Sequence, residues 1–313
     1  MVPNRGAAVS SYLLIVNPVA GKGAGAARAE RLRATLERSS AVELVATTGR
    51  GDATALARTR GPGYDRVVAI GGDGTLNEVL TGLMACGDSA DSRPALGFLP
   101  GGTANVATRA FGFTTNPDRL AARLPDVRGR PVDVGIAELD GSKRPFLLWC
   151  GAGVDAVVIE TLNATRTGHM GAAGLVMNAP GVLGSLARYE SPPIRVEADD
   201  IAPRAATSVL LANVGTIAFG GSIHPEASPF DGRLDVVSSD GAGGLRALHL
   251  GWHMMTSSLT RARGVEHRTA SAVTLTSDAP VPVQIDGEPV GRLPISVRLV
   301  PAAIRLLIPQ DAG

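Results

Sequence analysis

Residues 66–83 read RVVAIGGDGTLNEVLTGL, and this stretch decides the fold. Four apolar residues at 67–70 are enough for a buried strand. Gly71-Gly72-Asp73-Gly74-Thr75 breaks the run, and from Leu76 onward apolar residues recur at 76, 79, 80 and 83, which is helical spacing. A strand, a glycine turn and a helix start together aim backbone N–H groups at an anion. Glycines also let a ligand approach with no Cβ in the way. The plainest alternative is an ordinary βα turn, with Thr75 as N-cap and Glu78, three residues on, as its capping-box partner. Three glycines around an aspartate exceed what a cap requires.

The same unit recurs on both sides. Upstream, an apolar strand at 12–16 ends in Asn17-Pro18-Val19-Ala20-Gly21-Lys22-Gly23, and an Ala/Arg-rich helix follows from about 25 to 38. Gly21-Lys22 lacks the earlier glycine and the following Ser or Thr of a Walker A loop. Gly21, Gly23 and Ala26 satisfy the relaxed Rossmann spacing, yet the next strand ends in Thr47-Thr48, where a ribose-binding acid is expected. That next unit pairs a strand at 42–48 with a helix at 52–60, Asp52 serving as its N-cap. Downstream, the central helix runs to about Cys86, and a strand at 95–100 enters Gly101-Gly102-Thr103-Ala104-Asn105 and another helix. Four βα units by residue 110 imply a parallel sheet with ligand loops at its C-terminal edge.

The chain of 313 residues exceeds what one small core holds, so two domains are expected. A net charge of +1 argues against a dedicated nucleic-acid binder. Cys86 and Cys150 are too few for a disulfide framework and are not spaced as metal ligands, which fits a reducing cytoplasm. No signal peptide is read at the N-terminus, residues 1–10 read as a loose tail, and the apolar-rich stretch at 209–220 is too short to span a bilayer. The protein is therefore expected to be soluble and at most peripheral to a membrane.

From about Arg130 the pattern changes to short alternating strands, at 132–139, 145–150, 194–199, 205–214, 233–240, 272–277, 281–286 and 295–308. Asp140-Gly141, Asp199-Asp200 and Asp286-Gly287 punctuate them as turns, and the whole reads as an antiparallel β-sandwich. One helical insertion is expected at about 156–189, with a broad apolar surface that includes Met170, Leu175, Met177, Leu183 and Leu186. That surface suits packing on the sandwich or facing lipid. A weaker amphipathic helix is read at 244–262. His249, His253 and His267 read as surface or packing histidines, since no spacing among them makes a metal site.

GGDGTLNEV resembles the nucleotide-binding signature of the diacylglycerol-kinase-type catalytic domain, shared by bacterial lipid kinases, sphingosine kinases and ceramide kinases. The resemblance extends over roughly residues 11–309. Residues 17–21 match the family's NPxxG phosphate loop, Thr47 its threonine before the GDA-type helix start, and Gly102 and Thr103 its PxGTxN signature. Val106 stands where many members have Asp. The resemblance implies an N-terminal doubly wound α/β nucleotide-binding domain, residues 11–132, to which residues 302–313 return. A C-terminal antiparallel β-sandwich lipid-binding domain covers 133–301.

The implied nucleotide contacts are Asn17, Pro18, Val19, Ala20, Gly21, Thr47, Gly71, Gly72, Asp73, Gly74, Thr75, Leu76, Asn77, Glu78, Gly102 and Thr103. The segment Ser228-Pro229-Phe230-Asp231-Gly232-Arg233 is similar to one in which the family holds a structural divalent cation. That implicates the Asp231 carboxylate, with Ser228 and Arg233 acting through backbone oxygens. Asp155, in GAGVDA, resembles a position near the family's interdomain cleft. In Asp286-Gly287-Glu288 the resemblance makes Glu288 the proton acceptor with Asp286 beside it, joined by Asp133 in a carboxylate network. Asp73 positions phosphate or metal, and some relatives are described with this aspartate as the base instead. The implied chemistry is ATP-dependent, Mg²⁺-requiring phosphorylation of a membrane-lipid hydroxyl such as that of diacylglycerol, with carboxylates taking the hydroxyl proton. The implied setting is the cytoplasm, peripheral at the inner face of the membrane. An NAD kinase and a non-catalytic nucleotide- or lipid-binding regulator are the alternatives, and a homodimer is left open.

Overall fold

The computed structural model describes residues 10–21, 23–102, 105–164, 172–199, 201–241 and 243–308. In chain order the first elements are β1 (Ser11–Val16), α1 (Gly25–Leu36), β2 (Ala41–Ala46), α2 (Asp52–Arg60), β3 (Arg66–Gly71), α3 (Asp73–Met84), β4 (Ala95–Pro100), α4 (Val106–Phe111) and α5 (Pro117–Arg123). Then follow β5 (Arg130–Leu139), β6 (Ser142–Phe146), β7 (Trp149–Ala152), α6 (Val154–Ala164), α7 (Ala172–Arg188), β8 (Ile194–Ala198), β9 (Ile201–Ala206) and β10 (Ser208–Ala212). The last are β11 (Leu234–Ser239), α8 (Gly244–Met255), β12 (Val265–Ala270), β13 (Ala272–Thr276), β14 (Pro282–Ile285), β15 (Glu288–Arg292) and β16 (Ile295–Leu306). The chain forms two compact units, one of residues 1–102, 111–131 and 304–313, the other of residues 103–110 and 132–303.

In the first unit the strands run parallel in the order β2-β1-β3-β4. The end of β16 lies beside β4, with Leu306 opposite Leu96. Successive strand residues face opposite ways. Tyr12, Leu14, Val16, Val68 and Ile70 therefore share one cluster with Ala29, Leu32 and Leu36 of α1, Leu120 of α5 and Leu124 just beyond it. Leu13, Ile15, Val67 and Ala69 are equally buried and serve the other face, where α2 and α3 pack. Burial on both faces is why these strands read as unbroken apolar runs.

In the second unit one antiparallel sheet has the order β12-β11-β10-β7-β14-β15, and a second is built from β16, β13, β8 and β9. A common core takes Cys150, Val209, Leu211, Val236 and Val283 from the first sheet and Val196, Val273, Leu275, Ile295 and Val297 from the second. This is the sandwich the alternation implied. The neighbouring residues Leu210, Ala212 and Val237 point the other way and meet Leu250 of α8 and Leu259. No helix among the described residues is long and apolar enough to cross a membrane.

Several local expectations are corrected. The single strand read at 145–150 is two, β6 and β7, because the amides of Leu147, Leu148 and Trp149 turn toward the Asp286 carboxylate. The strand read at 205–214 breaks at Thr207, where the chain passes from β8's sheet to that of β11. There the Thr207 amide bonds the Ser239 carbonyl at 2.9 Å. The strand β12 was not foreseen, because VEHRTA carries little apolar alternation and forms a sheet edge. The helix expected to reach 262 stops at Met255, where the Thr256 hydroxyl bonds the Trp252 carbonyl and competes with the helix ladder. Thr75 is not an N-cap: Gly72 takes that place and Thr75 lies buried inside α3. Asp52 is not one either, since Gly51 precedes α2, and Asp52 instead accepts from the Thr48 and Gly49 amides. Met170 and the tail at 1–9 lie outside the described residues.

Candidate active site

In the first unit, the loops after β1 and β3 flank the point where strand order reverses. Open α/β sheets bind ligands at that switch point, beyond the carboxyl ends of the strands. The Asn17 amide bonds the Ile70 carbonyl at 2.9 Å, which ties the two loops together. The Asn17 side chain accepts from the Val19 amide at 3.2 Å and rounds the turn. Gly21, at φ +63°, passes so close to the β4 loop that a Cβ would sit 2.8 Å from the Gly101 carbonyl oxygen. The Gly101 amide in turn bonds the Gly71 carbonyl at 2.6 Å, so all three glycine loops form one layer. The Thr47 amide bonds the end of β1 at Val16 and brings the β2 loop beside them.

The α3 N-terminus opens into this layer. Leu76 is the first residue of α3 whose amide bonds back to Gly72, at 3.1 Å; an α-helix cannot pair its first-turn amides within itself. The half-buried Asp73 and the exposed Gly74 occupy that turn. Two expected contacts have other work. The Leu76 side chain is buried in the core. The Glu78 carboxylate accepts from the Gly51 amide at 3.1 Å, at the start of α2. Val19 stands exposed at the loop tip and Ala20 is buried. Asn77 is half-buried, and Thr103 lies outside the described residues. Sequence reasoning missed Arg28, whose guanidinium approaches Gly101 and donates to the Thr115 carbonyl. Burial holds its pKa below the usual arginine value.

The second unit carries the acids. Asp286 and Gly287 both take positive φ, +48° and +82°, and form the two-residue turn between β14 and β15. The Asp286 carboxylate accepts from three successive amides, Leu147 at 3.1 Å, Leu148 at 3.0 Å and Trp149 at 3.1 Å. It clamps the β6–β7 connection, and Glu288 opens β15 immediately beyond the turn. Asp133, 3% exposed, accepts from the Gly232 and Ala302 amides at 2.7 Å each. The two carboxylates thus each hold a separate backbone segment. Buried Asn213 connects them, donating to the Asp133 carbonyl at 3.0 Å and the Leu147 carbonyl at 2.9 Å. Asn213 could have been found as the amide side chain at the end of the apolar run 209–214, since a buried amide needs partners.

Behind the turn, Gln284 joins the Gly287 amide, at 2.9 Å, to the Asp155 carboxylate, at 2.9 Å. A Cβ on Gly151 would lie 1.8 Å from the Asp155 Oδ2, so only glycine admits this side chain. Burial pushes the Asp155 carboxyl up to about 6, against the opposing pull of its hydrogen bonds. Between pH 3.8 and about 6 the native carboxyl keeps a proton that the unfolded chain has released, so its contribution to stability falls as pH rises. Against wild type, Asp155→Asn is expected to gain roughly 2–3 kcal/mol in relative unfolding free energy between pH 4 and pH 8. Urea unfolding at the two pH values checks this, and a pH-independent difference would refute the buried carboxyl.

The segment expected to hold a divalent cation is an exposed Asp-Gly turn. Asp231 Oδ1 accepts from the Arg233 amide at 2.9 Å, and Ser228 is half-buried. Its donors are a carboxylate and carbonyl oxygens, a set that suits a hard cation. The turn is anchored at Asp133, through the Gly232 amide and through the Asp133 amide to the Pro229 carbonyl.

On α8, Leu245, Leu248, Trp252 and Met255 are 85%, 53%, 69% and 51% exposed. Their spacing of three and four residues places them on one face. Leu250 and Met254 anchor the helix to the sheet from another face.

The comparisons with known proteins agree with this geometry. Residues 11–137 match the family profile described as diacylglycerol kinase catalytic domain, and residues 149–308 match the YegS C-terminal NAD kinase beta sandwich-like domain. A protein named diacylglycerol kinase from Mycobacterium tuberculosis (strain CDC 1551 / Oshkosh) is 28% identical over 315 residues, with 96% of each chain covered. A protein named "Probable lipid kinase YegS-like" from Stenotrophomonas maltophilia (strain K279a) is 29% identical over 79% of this chain and 80% of its own. In fold, the chain is similar to a solved structure titled as a diacylglycerol kinase from Bacillus anthracis str. Sterne. That likeness has a TM-score of 0.72 at 21% identity, covering 97% of this chain and 98% of the other. With its catalytic-domain and sandwich-domain profiles both matched in chain order, this chain belongs to the diacylglycerol kinase catalytic-domain family of lipid kinases, phosphotransferases with an alcohol acceptor.

Proposed function

We propose that the protein transfers the γ-phosphate of ATP to a hydroxyl of a membrane lipid such as diacylglycerol. The observation that carries this reading is the layer of three glycine loops at the strand switch point, in a chain of the lipid-kinase family. Backbone amides in the first turn of α3, residues 73–75, hold the phosphates, with the loop of residues 17–21 packed beside them. Mg²⁺, when bound, offsets phosphate charge, with Asp73 as the acid in the phosphate loops to meet it. Glu288 takes the proton of the acceptor hydroxyl, and Asp286 keeps Glu288 in place by fixing the turn. Asp231, with the Ser228 and Arg233 carbonyls, holds a structural divalent cation.

The acceptor is a lipid, so the enzyme works at the inner face of the membrane, where ATP is supplied. The exposed stripe of α8 supports this reading: an apolar face with a Trp suits the bilayer interface. The test is transfer of labelled phosphate from Mg-ATP into diacylglycerol, monoacylglycerol, sphingosine, ceramide and phosphatidylglycerol, with NAD as a soluble control. Label in one lipid supports the reading and names the substrate, and label in NAD alone overturns it. On vesicles, Trp252→Ser is expected to lower transfer and vesicle co-sedimentation several-fold while transfer in detergent micelles persists. Equal co-sedimentation would remove α8 from the membrane contact.

A further inference from the structure

A second group of ligand-type side chains lies in the sandwich unit. His224, Asp235 and His267 each offer one ligand atom, and these atoms all lie within 4.8 Å of one another. His267 Nε2 is 2.6 Å from Asp235 Oδ1, and His224 Nε2 is 3.9 Å from the same oxygen. The two imidazole rings stand 4.1 Å apart at 36°. Asp235 is 4% exposed, whereas both histidine side chains keep an opening to solvent. Glu226 Oε2 lies 3.9 Å from His224 Nε2 on the outer side. No spacing along the chain links these residues, because the neighbours of His267 in the cluster come from a loop and from the adjacent strand β11.

We propose that His224, Asp235 and His267 bind a first-row divalent transition ion of the Zn²⁺ class. Two imidazoles and one carboxylate are a donor set for such ions and a poor one for Mg²⁺, which prefers oxygen throughout. Bonds of roughly 2.0–2.1 Å to a tetrahedral ion set its ligand atoms about 3.3 Å apart. The observed 2.6 and 3.9 Å bracket that value and the third pair lies within 4.8 Å, so ring movements on the order of 1 Å seat the ion. Glu226 or water completes the coordination.

The scaffold is already ordered. Asp235 and His267 stand on the paired strands β11 and β12. His224 is held through its neighbours, the Ile223 amide on the Gly215 carbonyl at 2.7 Å and the Ser222 amide on the Met254 carbonyl at 2.8 Å. A bound ion ties the loop before β11 to the sheet. That loop ends in the turn with Asp231 that Asp133 anchors from its other side. The site differs in donors and in residues from the Asp231 turn.

The experiment is equilibrium dialysis of chelator-stripped full-length protein against Zn²⁺ in excess Mg²⁺, with metal analysis and the visible d–d spectrum of a Co²⁺ replacement. One Zn²⁺ per chain is expected, with Co²⁺ bands typical of a low-coordinate nitrogen–oxygen site. His224→Ala and His267→Ala are each expected to weaken Zn²⁺ binding more than about 100-fold, since even the loss of a group that only orients a ligand costs about 10–100-fold. His224→Ala is expected to unfold like the metal-free wild type, whereas His267→Ala also removes the 2.6 Å partner of buried Asp235 and is compared under conditions where both proteins are folded. Asp235→Asn, which keeps the size of the buried side chain, is expected to lose affinity as well. No saturable Zn²⁺, or one Zn²⁺ bound equally by both histidine variants, overturns the proposal.

Discussion

Glu288→Gln is expected to lower phosphate transfer by about 10²–10⁴-fold while leaving nucleotide affinity within about twofold of wild type, the range a general base contributes. Glutamine keeps the size of glutamate but cannot accept the hydroxyl proton. Glu288 opens β15 directly after the Asp286-Gly287 turn, so hairpin geometry fixes its Cα. The substitution therefore alters chemistry and spares the fold. Phosphoryl transfer passes through a loose transition state in which the attacking hydroxyl gives up its proton late, so the lower part of the range is the better expectation. Steady-state transfer into the lipid substrate, with nucleotide binding measured by calorimetry, checks both halves. Wild-type turnover in the variant would remove Glu288 as the base and move the role to Asp73.

Asp286→Ala is expected to cost roughly 3–5 kcal/mol of folding stability, because each buried amide left without an acceptor costs about 1–3 kcal/mol. Three amides, those of Leu147, Leu148 and Trp149, lose their acceptor together. Alanine also tolerates the positive φ at this position less well than Asp or Asn does. Against a typical total of about 5–15 kcal/mol, that loss is large enough to show as a shifted urea midpoint. Asp286→Asn separates the two roles. It keeps Oδ1 as acceptor for Leu148 and Trp149, but turns an amide N–H₂ toward the Leu147 N–H, so an intermediate loss is expected. An alanine variant as stable as wild type, yet inactive, would make Asp286 a participant in the chemistry and not a clamp.

The two variants mark where reading the chain succeeds. The parallel sheet was legible because β1, β3 and β4 are buried on both faces and show as apolar runs, with β3 and β4 leading into glycine turns. The run at 67–70 with Gly71 and Gly72 is the clearest case. The two-residue hairpin turn was legible at Asp286-Gly287 because positive φ demands such residues. Both are local signals.

What was not legible depends on partners far along the chain. An apolar stretch at 145–150 reads as one strand, and only the carboxylate of Asp286, more than a hundred positions away, draws three of its neighbouring amides out of the ladder. Thr207 carries no mark of a change of sheet, because the mark is the Ser239 carbonyl to which it bonds. His224 and His267 meet around Asp235 only because β11 and β12 pair while the preceding loop folds back on them. Fold class and glycine loops are thus written in short-range periodicity and backbone conformation, which neighbouring residues impose on one another. The clamps on the acids and the histidine cluster come from tertiary pairing, because hydrogen-bond partners and ligand sets are chosen by proximity in space, which spacing along the chain does not encode.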